Sequence, residues 1–137
     1  MSTSWKAPAP GDLVWCHFPE AIVSEPGRKP RPALVTSVVI REDGVVVIVA
    51  YGTSQRVNHL KVGEFAICRA RNPEAYELAG LSFDTKFDFK QTAELPWTDQ
   101  FFKIPPRPRH GQNPKLGTLH PTLMRAAKAA HSAAADR

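Results

Sequence analysis

The chain has 137 residues, 42% of them hydrophobic, which is enough for one domain with a buried core and too short for two domains of ordinary size. Its formal charge is +5, from 18 basic and 13 acidic side chains. The longest apolar runs, Ala33–Ile40 and Val45–Tyr51, are too short to cross a bilayer, so the composition argues against both a disordered chain and a membrane-spanning helix.

Residues 1–10 read as a flexible lead ending in Ala7-Pro8-Ala9-Pro10, without the apolar stretch of a secretory signal, so a cytoplasmic protein is expected. Cys16 and Cys68 are then expected as reduced, buried packing groups rather than a disulfide. A strand is expected at Leu13–Phe18, stopped by Pro19. A loop rich in proline and charge runs from Glu20 to Pro32. Ala33–Ile40 and Val45–Tyr51 form a hairpin across Arg41-Glu42-Asp43-Gly44. Both strands are apolar on both faces, which places them at the centre of a barrel or beneath a helix.

The polar tetrapeptide Gly52-Thr53-Ser54-Gln55 ends this hairpin, and a polar stretch to Gly63 leads into a strand over Glu64–Arg69. Asn72 as N-cap, Pro73 in the first turn and Gly80 as the stop mark a short helix. Leu81–Lys90 alternates strictly. Leu81, Phe83, Thr85, Phe87 and Phe89 fall on one face, and Ser82, Asp84, Lys86, Asp88 and Lys90 on the other. Leu95–Phe102 is an irregular aromatic segment, Pro105–Gly111 an extended loop, and Leu116–Leu119 a last short strand. Pro121 opens a C-terminal helix from Leu123 to about His131, docked through Leu123, Ala127 and Ala130, with residues 132–137 frayed. Five to seven strands and two helices predict a single, mainly β domain over residues 11–131, a small and strongly curved barrel with helical additions.

The charge is unevenly placed. Residues 1–68 nearly balance, with seven basic and six acidic side chains, whereas no acidic residue falls between Gln100 and Ala135. Lys103, Arg107, Arg109, Lys115, Arg125 and Lys128 all lie in that interval, a one-signed segment that attracts polyanions or simply keeps the protein soluble. Clustered Cys and His at zinc spacing are absent from the sequence, as are a phosphate-cradling glycine loop and a Gly-x-Ser-x-Gly elbow; no metal or cofactor is expected.

Three polar groups remain attached to β structure. Arg31 is stiffened between Pro30 and Pro32 at the mouth of one hairpin strand. Thr53-Ser54-Gln55 ends the other. Asp84, Lys86 and Asp88 are spaced by about 7 Å along one strand face. Together they are the parts for metal-free cleavage of RNA. The ribose 2′-OH is the nucleophile, so the protein needs a base, a cation on the phosphorus oxygens and an acid for the leaving 5′-oxygen. The same residues also describe the solvent face of an ordinary strand, a plain turn and a surface cation.

The order of these pieces resembles the MazF/PemK family of toxin–antitoxin toxins. Gly11-Asp12-Leu13-Val14-Trp15 is similar to its opening strand, Ser24-Glu25 with Arg31-Pro32-Ala33-Leu34-Val35 to its loop and Arg-Pro strand, and Tyr51-Gly52-Thr53-Ser54-Gln55 to the segment carrying its active-site hydroxyls. Ala79-Gly80-Leu81 through Asp88, then Lys115-Leu116-Gly117-Thr118-Leu119, follow in the family's order, so the likeness covers about residues 11–130. It implies an SH3-like barrel of the CcdB/MazF/PemK type and a homodimer. It also implies a metal-independent, sequence-selective endoribonuclease acting on single-stranded mRNA, leaving a cyclic phosphate and inhibited by a cognate antitoxin in the RNA groove. Arg31 and Thr53 match positions the family uses for catalysis, Asp88 is similar to an acidic base of some members, and Lys86 stands where those members carry an arginine. Ser54, Gln55, Lys103, Arg107 and Arg109 are the expected RNA contacts. Three features depart from the pattern: Ser24 where some members have histidine, lysine for arginine at Lys86, and a longer, more basic stretch from Trp97 to Pro114. The rival expectations are a non-catalytic RNA- or protein-binding module on the same barrel and a purely structural interaction domain.

Overall fold

The computed structural model describes residues 5–19, 26–27 and 29–135; Ser24, Glu25 and Arg28 lie outside the described residues. The strands are β1 (Asp12–Cys16), β2 (Arg31–Arg41), β3 (Gly44–Thr53), β4 (Glu64–Ile67), β5 (Thr85–Pro96) and β6 (Lys115–Thr118). Helix α1 (Pro73–Ala79) separates β4 from β5, and a 3-10 turn at Pro121–Leu123 leads into α2 (Met124–Ala135). The strands form one sheet in the order β4-β5-β3-β2-β1-β6, every neighbouring pair antiparallel. It is the expected mainly-β, SH3-like curled barrel with a short internal helix and a C-terminal helix.

The hairpin β2–β3 is central because its two faces serve two cores. Leu34 and Ala50 point to one side, with Leu13, Phe65 and Phe87, under Leu123, Ala127 and Ala130 of α2. Ala33, Val35, Val47 and Val49 point to the other, against Val14, Cys16, Trp97 and Phe102. Each of the leucines, valines and phenylalanines removed from water contributes roughly 1.5–3 kcal/mol, and a one-residue slip would exchange the two sets. The expected stripe on α2 is therefore real, and the aromatic segment after β5 is core rather than surface. The double burial stops short of the hairpin tip, however. Val39 is 38% and Ile40 76% exposed, because both covering layers end before the turn.

Four other expectations change in detail. The Asn72 side chain makes no cap; its carbonyl accepts from the Tyr76 N–H at 2.8 Å, while Gly80 closes α1 in the left-handed region at φ 72°. Helix α2 runs on past His131 to Ala135, with Ala134 packed near Gly63. The alternating strand begins only at Thr85 and continues beyond Lys90 to Pro96. Before it the chain bends: the Asp84 carboxylate accepts from the Arg69 N–H at 2.8 Å, and the Thr85 hydroxyl donates to the Phe83 carbonyl at 2.8 Å. Phe83 is thereby turned out of the apolar face and is 70% exposed.

Lys86 is the fourth correction. The alternation puts it on the polar face with Asp84 and Asp88, open to a phosphate or to solvent, whereas the fold leaves it 6% exposed. Its ammonium donates to the Glu64 carboxylate at 3.0 Å and to the His59 carbonyl at 3.0 Å, and the same Glu64 oxygen accepts from the Lys61 N–H at 2.7 Å. This pair, with both side chains 7% exposed, ties the connection between β3 and β4 to the sheet. Breaking one partner leaves the other charge buried alone.

Lys86→Ala is expected to cost about 3–5 kcal/mol in urea denaturation, with much of the loss recovered in the double variant Glu64→Gln, Lys86→Met. Burial pushes the Glu64 pKa up, but the Lys61 N–H and the Lys86 ammonium outweigh it and hold the carboxyl below its ordinary 4.5. The unfolded chain thus binds this proton more readily. The stabilisation is complete above pH 4.5 and is lost as pH falls through the lowered folded value, so acid unfolding of the wild type should be steeper than that of the double variant.

Candidate active site

Arg31 opens β2 and Thr53 closes β3. The last paired rung between these strands is Ala33 with Tyr51, so both residues lie two positions beyond it, at the same rim of the barrel. They approach because Gly52 stands between them: a Cβ there would collide with the Pro32 carbonyl and the Phe87 ring. The Arg31 guanidinium lies 5.7 Å from the centroid of the Tyr51 ring, a cation–π contact, and Tyr51 is braced edge-on by Phe18 at 5.2 Å. The Thr53 hydroxyl oxygen accepts from the Gln55 N–H at 3.1 Å, which leaves its own O–H to donate elsewhere.

Two hollows meet at this rim, and Arg31 and Thr53 line both. The larger, about 780 Å³, runs between Ser82-Phe83 and the loop Pro105–Arg109, over Leu81 and Leu116. Its charged lining residues are Lys29, Arg31, Arg107 and Arg109; no acidic residue lines it among the described residues. The smaller, about 540 Å³, is bordered by Gln55, Arg56, His59, Lys61, Lys86 and Glu64.

The expected site residues are thus only partly gathered. Ser54, Arg107 and Arg109 join Arg31 and Thr53 in the larger hollow, and Gln55 and Lys86 join them in the smaller. Arg109 donates to the Glu77 carbonyl and carboxylate at 3.1 and 3.2 Å. That pair is exposed, so it contributes about 1 kcal/mol at most and can yield to a phosphate. Lys86 is already neutralised by Glu64. Lys103 lines neither hollow; its N–H is bonded to the Trp15 carbonyl, where the chain runs beside β1.

Asp88 also lines neither hollow. Between the rungs Tyr51–Asp88 and Ala50–Thr92, Phe89, Lys90 and Gln91 are extra residues on β5. Asp88 holds this bulge together, one oxygen accepting from the Lys90 N–H and the other from the Gln91 amide, both at 2.9 Å.

Arg56, His59 and Lys61 were passed over in the sequence as a polar stretch. The available signal was two basic side chains and an imidazole within the six residues after Gln55. Arg56 adopts a left-handed backbone at φ 53°, which costs an L-residue energy and is common where structure is held for function. His59 also borders the smaller hollow, and its carbonyl accepts from the Lys86 ammonium.

Cys16 is fully buried, and burial pushes its thiol pKa far up, away from the thiolate a nucleophile needs. Among the described residues, no three His, Cys, Asp or Glu side chains lie close enough to share a metal ion. No helix of the described chain is long and apolar enough to cross a membrane.

No curated protein sequence matches the chain. Residues 9–131 match the family model of the PemK-like, MazF-like toxins of type II toxin–antitoxin systems. That span contains all six strands, α1, both hollows and the docked turns of α2. The chain belongs to that toxin family.

Proposed function

We propose that this toxin is a metal-independent, sequence-selective endoribonuclease that cuts single-stranded mRNA in the cytoplasm, works as a homodimer and is silenced by a cognate antitoxin. Toxins of this family are generally endoribonucleases paired with an antitoxin. The observation that carries the reading for this chain is the meeting of Arg31 and Thr53 where two cation-lined hollows join. A strand of RNA passing from one hollow to the other would set a phosphodiester on that pair.

In this reading the ribose 2′-oxygen attacks phosphorus, the bond from phosphorus to the 5′-oxygen breaks, and a 2′,3′-cyclic phosphate and a 5′-hydroxyl result. Arg31 neutralises the charge that builds on the non-bridging oxygens. The Thr53 hydroxyl, its oxygen already occupied by the Gln55 N–H, donates to one of them. His59, which shares the smaller hollow with both residues, takes the 2′-hydroxyl proton, and a solvent water delivers the proton that the leaving 5′-oxygen requires. Lys86 and Asp88 serve the site through the scaffold, by anchoring the His59 segment and the β5 bulge.

With EDTA in excess throughout, the wild type should cleave RNA. Arg31→Ala should lower kcat about 100-fold, an effect of roughly 3 kcal/mol, with an unchanged melting temperature. Cleavage that needs an added divalent ion, or an Arg31→Ala protein of wild-type rate, would sink the assignment. His59→Asn should slow turnover more than Asp88→Asn at matched stability; the reverse order would return the base to Asp88.

Binding is tested separately by salt. Each phosphate contact to a single strand contributes a log–log slope of about −0.7. Replacing Arg107 and Arg109 by Ser should flatten the slope by about 1.4, whereas Lys103→Ser should leave it unchanged. A protein that binds with this slope and leaves the RNA intact is a non-catalytic module on the same barrel.

A further inference from the structure

Phe83 is an anomaly in an otherwise well-buried set of aromatics. Phe65, Phe87, Phe101 and Phe102 are each at most 5% exposed, yet Phe83 is 70% exposed and sits on the border of the larger hollow. It is not loosely displayed. The carbonyl of Phe83 itself is fixed by the Thr85 hydroxyl, and the next residue, Asp84, is bound to the Arg69 N–H, so the bend presenting the ring is tied to the start of β5 and to the turn after β4. Leu81, two residues earlier, is buried at 6% exposure and anchors the other side of the bend.

We infer that Phe83 is a stacking platform for one unpaired RNA base lying beside the cleaved phosphate, and so a specificity-determining residue of this toxin. The inference rests on the endoribonuclease reading above and deepens it. A large apolar ring left in water has a cost that a bound ligand relieves, and the surroundings state the ligand's charge. The hollow beside the ring carries Arg31, Arg107 and Arg109 and no acidic residue among those described, which suits a polyanion whose bases need a flat apolar surface. Cations along the backbone path with an aromatic face for a base are the combination by which proteins hold single strands. An apolar anchor for a protein partner would need no π face, and this difference makes the two separable.

The test is cleavage of a randomised RNA pool, with sequencing of the new ends, alongside KM and kcat on a short RNA containing the wild-type site. Phe83→Ala should raise KM roughly 10- to 100-fold and erase the base preference at one position next to the cut. Its kcat at saturation should be nearly unchanged, because the contact is made equally in the ground and transition states. Phe83→Trp should restore both KM and preference; Phe83→Leu should restore neither. The exposure of the ring predicts an unaltered melting temperature for all three variants. If the wild type cuts the pool and Phe83→Ala matches it in KM and preference, stacking is wrong while the endoribonuclease reading stands. If Phe83→Leu behaves as wild type, the ring is an apolar contact and the inference is likewise overturned. A wild type that neither binds nor cuts RNA removes both.

Discussion

The pairing of β2 with β3 is the constraint on which the rest of the molecule depends. These strands are buried on both sides along their base, with Leu34 and Ala50 facing one core and Val35, Val47 and Val49 the other. Neither strand can slip by one residue without sending every one of these side chains into the wrong layer. The register is therefore rigid, and it ends at the same rim for both strands. Arg31 and Thr53 inherit their placement from that register, as they are the residues just past its last rung. The site is precise because the scaffold beneath it has no alternative packing.

Around that rim the protein uses short polar contacts to position what the sheet alone would not. Lys86 and Glu64 are charges at the same end of the sheet, kept apart from solvent and from each other's alternatives by a 3.0 Å contact. Their value lies in what they hold, the His59 carbonyl and the Lys61 N–H, which set the border of the smaller hollow. Asp88 plays the same part for the β5 bulge. In both cases a charged residue is tied to the scaffold, while the cations lining the larger hollow are Lys29, Arg31, Arg107 and, through an exposed and weak pair, Arg109.

The two hollows differ in character. One is floored by leucines and walled by prolines, arginines and a projecting phenylalanine; the other is bordered almost entirely by polar and charged groups. A single-stranded nucleic acid has the same division, with flat bases and a charged backbone. Under the proposed function, a junction with both environments meeting at an arginine and a hydroxyl would orient such a strand as well as bind it.

Local chemistry made much of this legible in the sequence. β-Branched runs on either side of Arg41-Glu42-Asp43-Gly44 foretold the hairpin, Gly80 the end of α1, and the spacing of Leu123, Ala127 and Ala130 the docked face of α2. Arg31 and Thr53 could be placed at one end because they close the two strands of one hairpin, although the turn alone would set Arg31 against Ser54 and a bulge at Thr36 shifts the register by one. The fates of Lys86, Asp88, Phe83 and His59 could not be read that way. Period-2 alternation says which side of a strand a residue occupies, but not what waits there. Lys86 is buried because Glu64, 22 residues earlier, lies on the neighbouring strand. Phe83 is exposed because Asp84 finds a backbone N–H 15 residues away and bends the chain before the strand begins. Sequence by itself determined most of the elements and the pairing of the central hairpin, since both depend on neighbours along the chain. Only the tertiary structure decided which polar side chains were spent on the scaffold and which were left facing the hollows, because the energy of a buried charge or a presented ring is set by partners that are distant in sequence and adjacent in space.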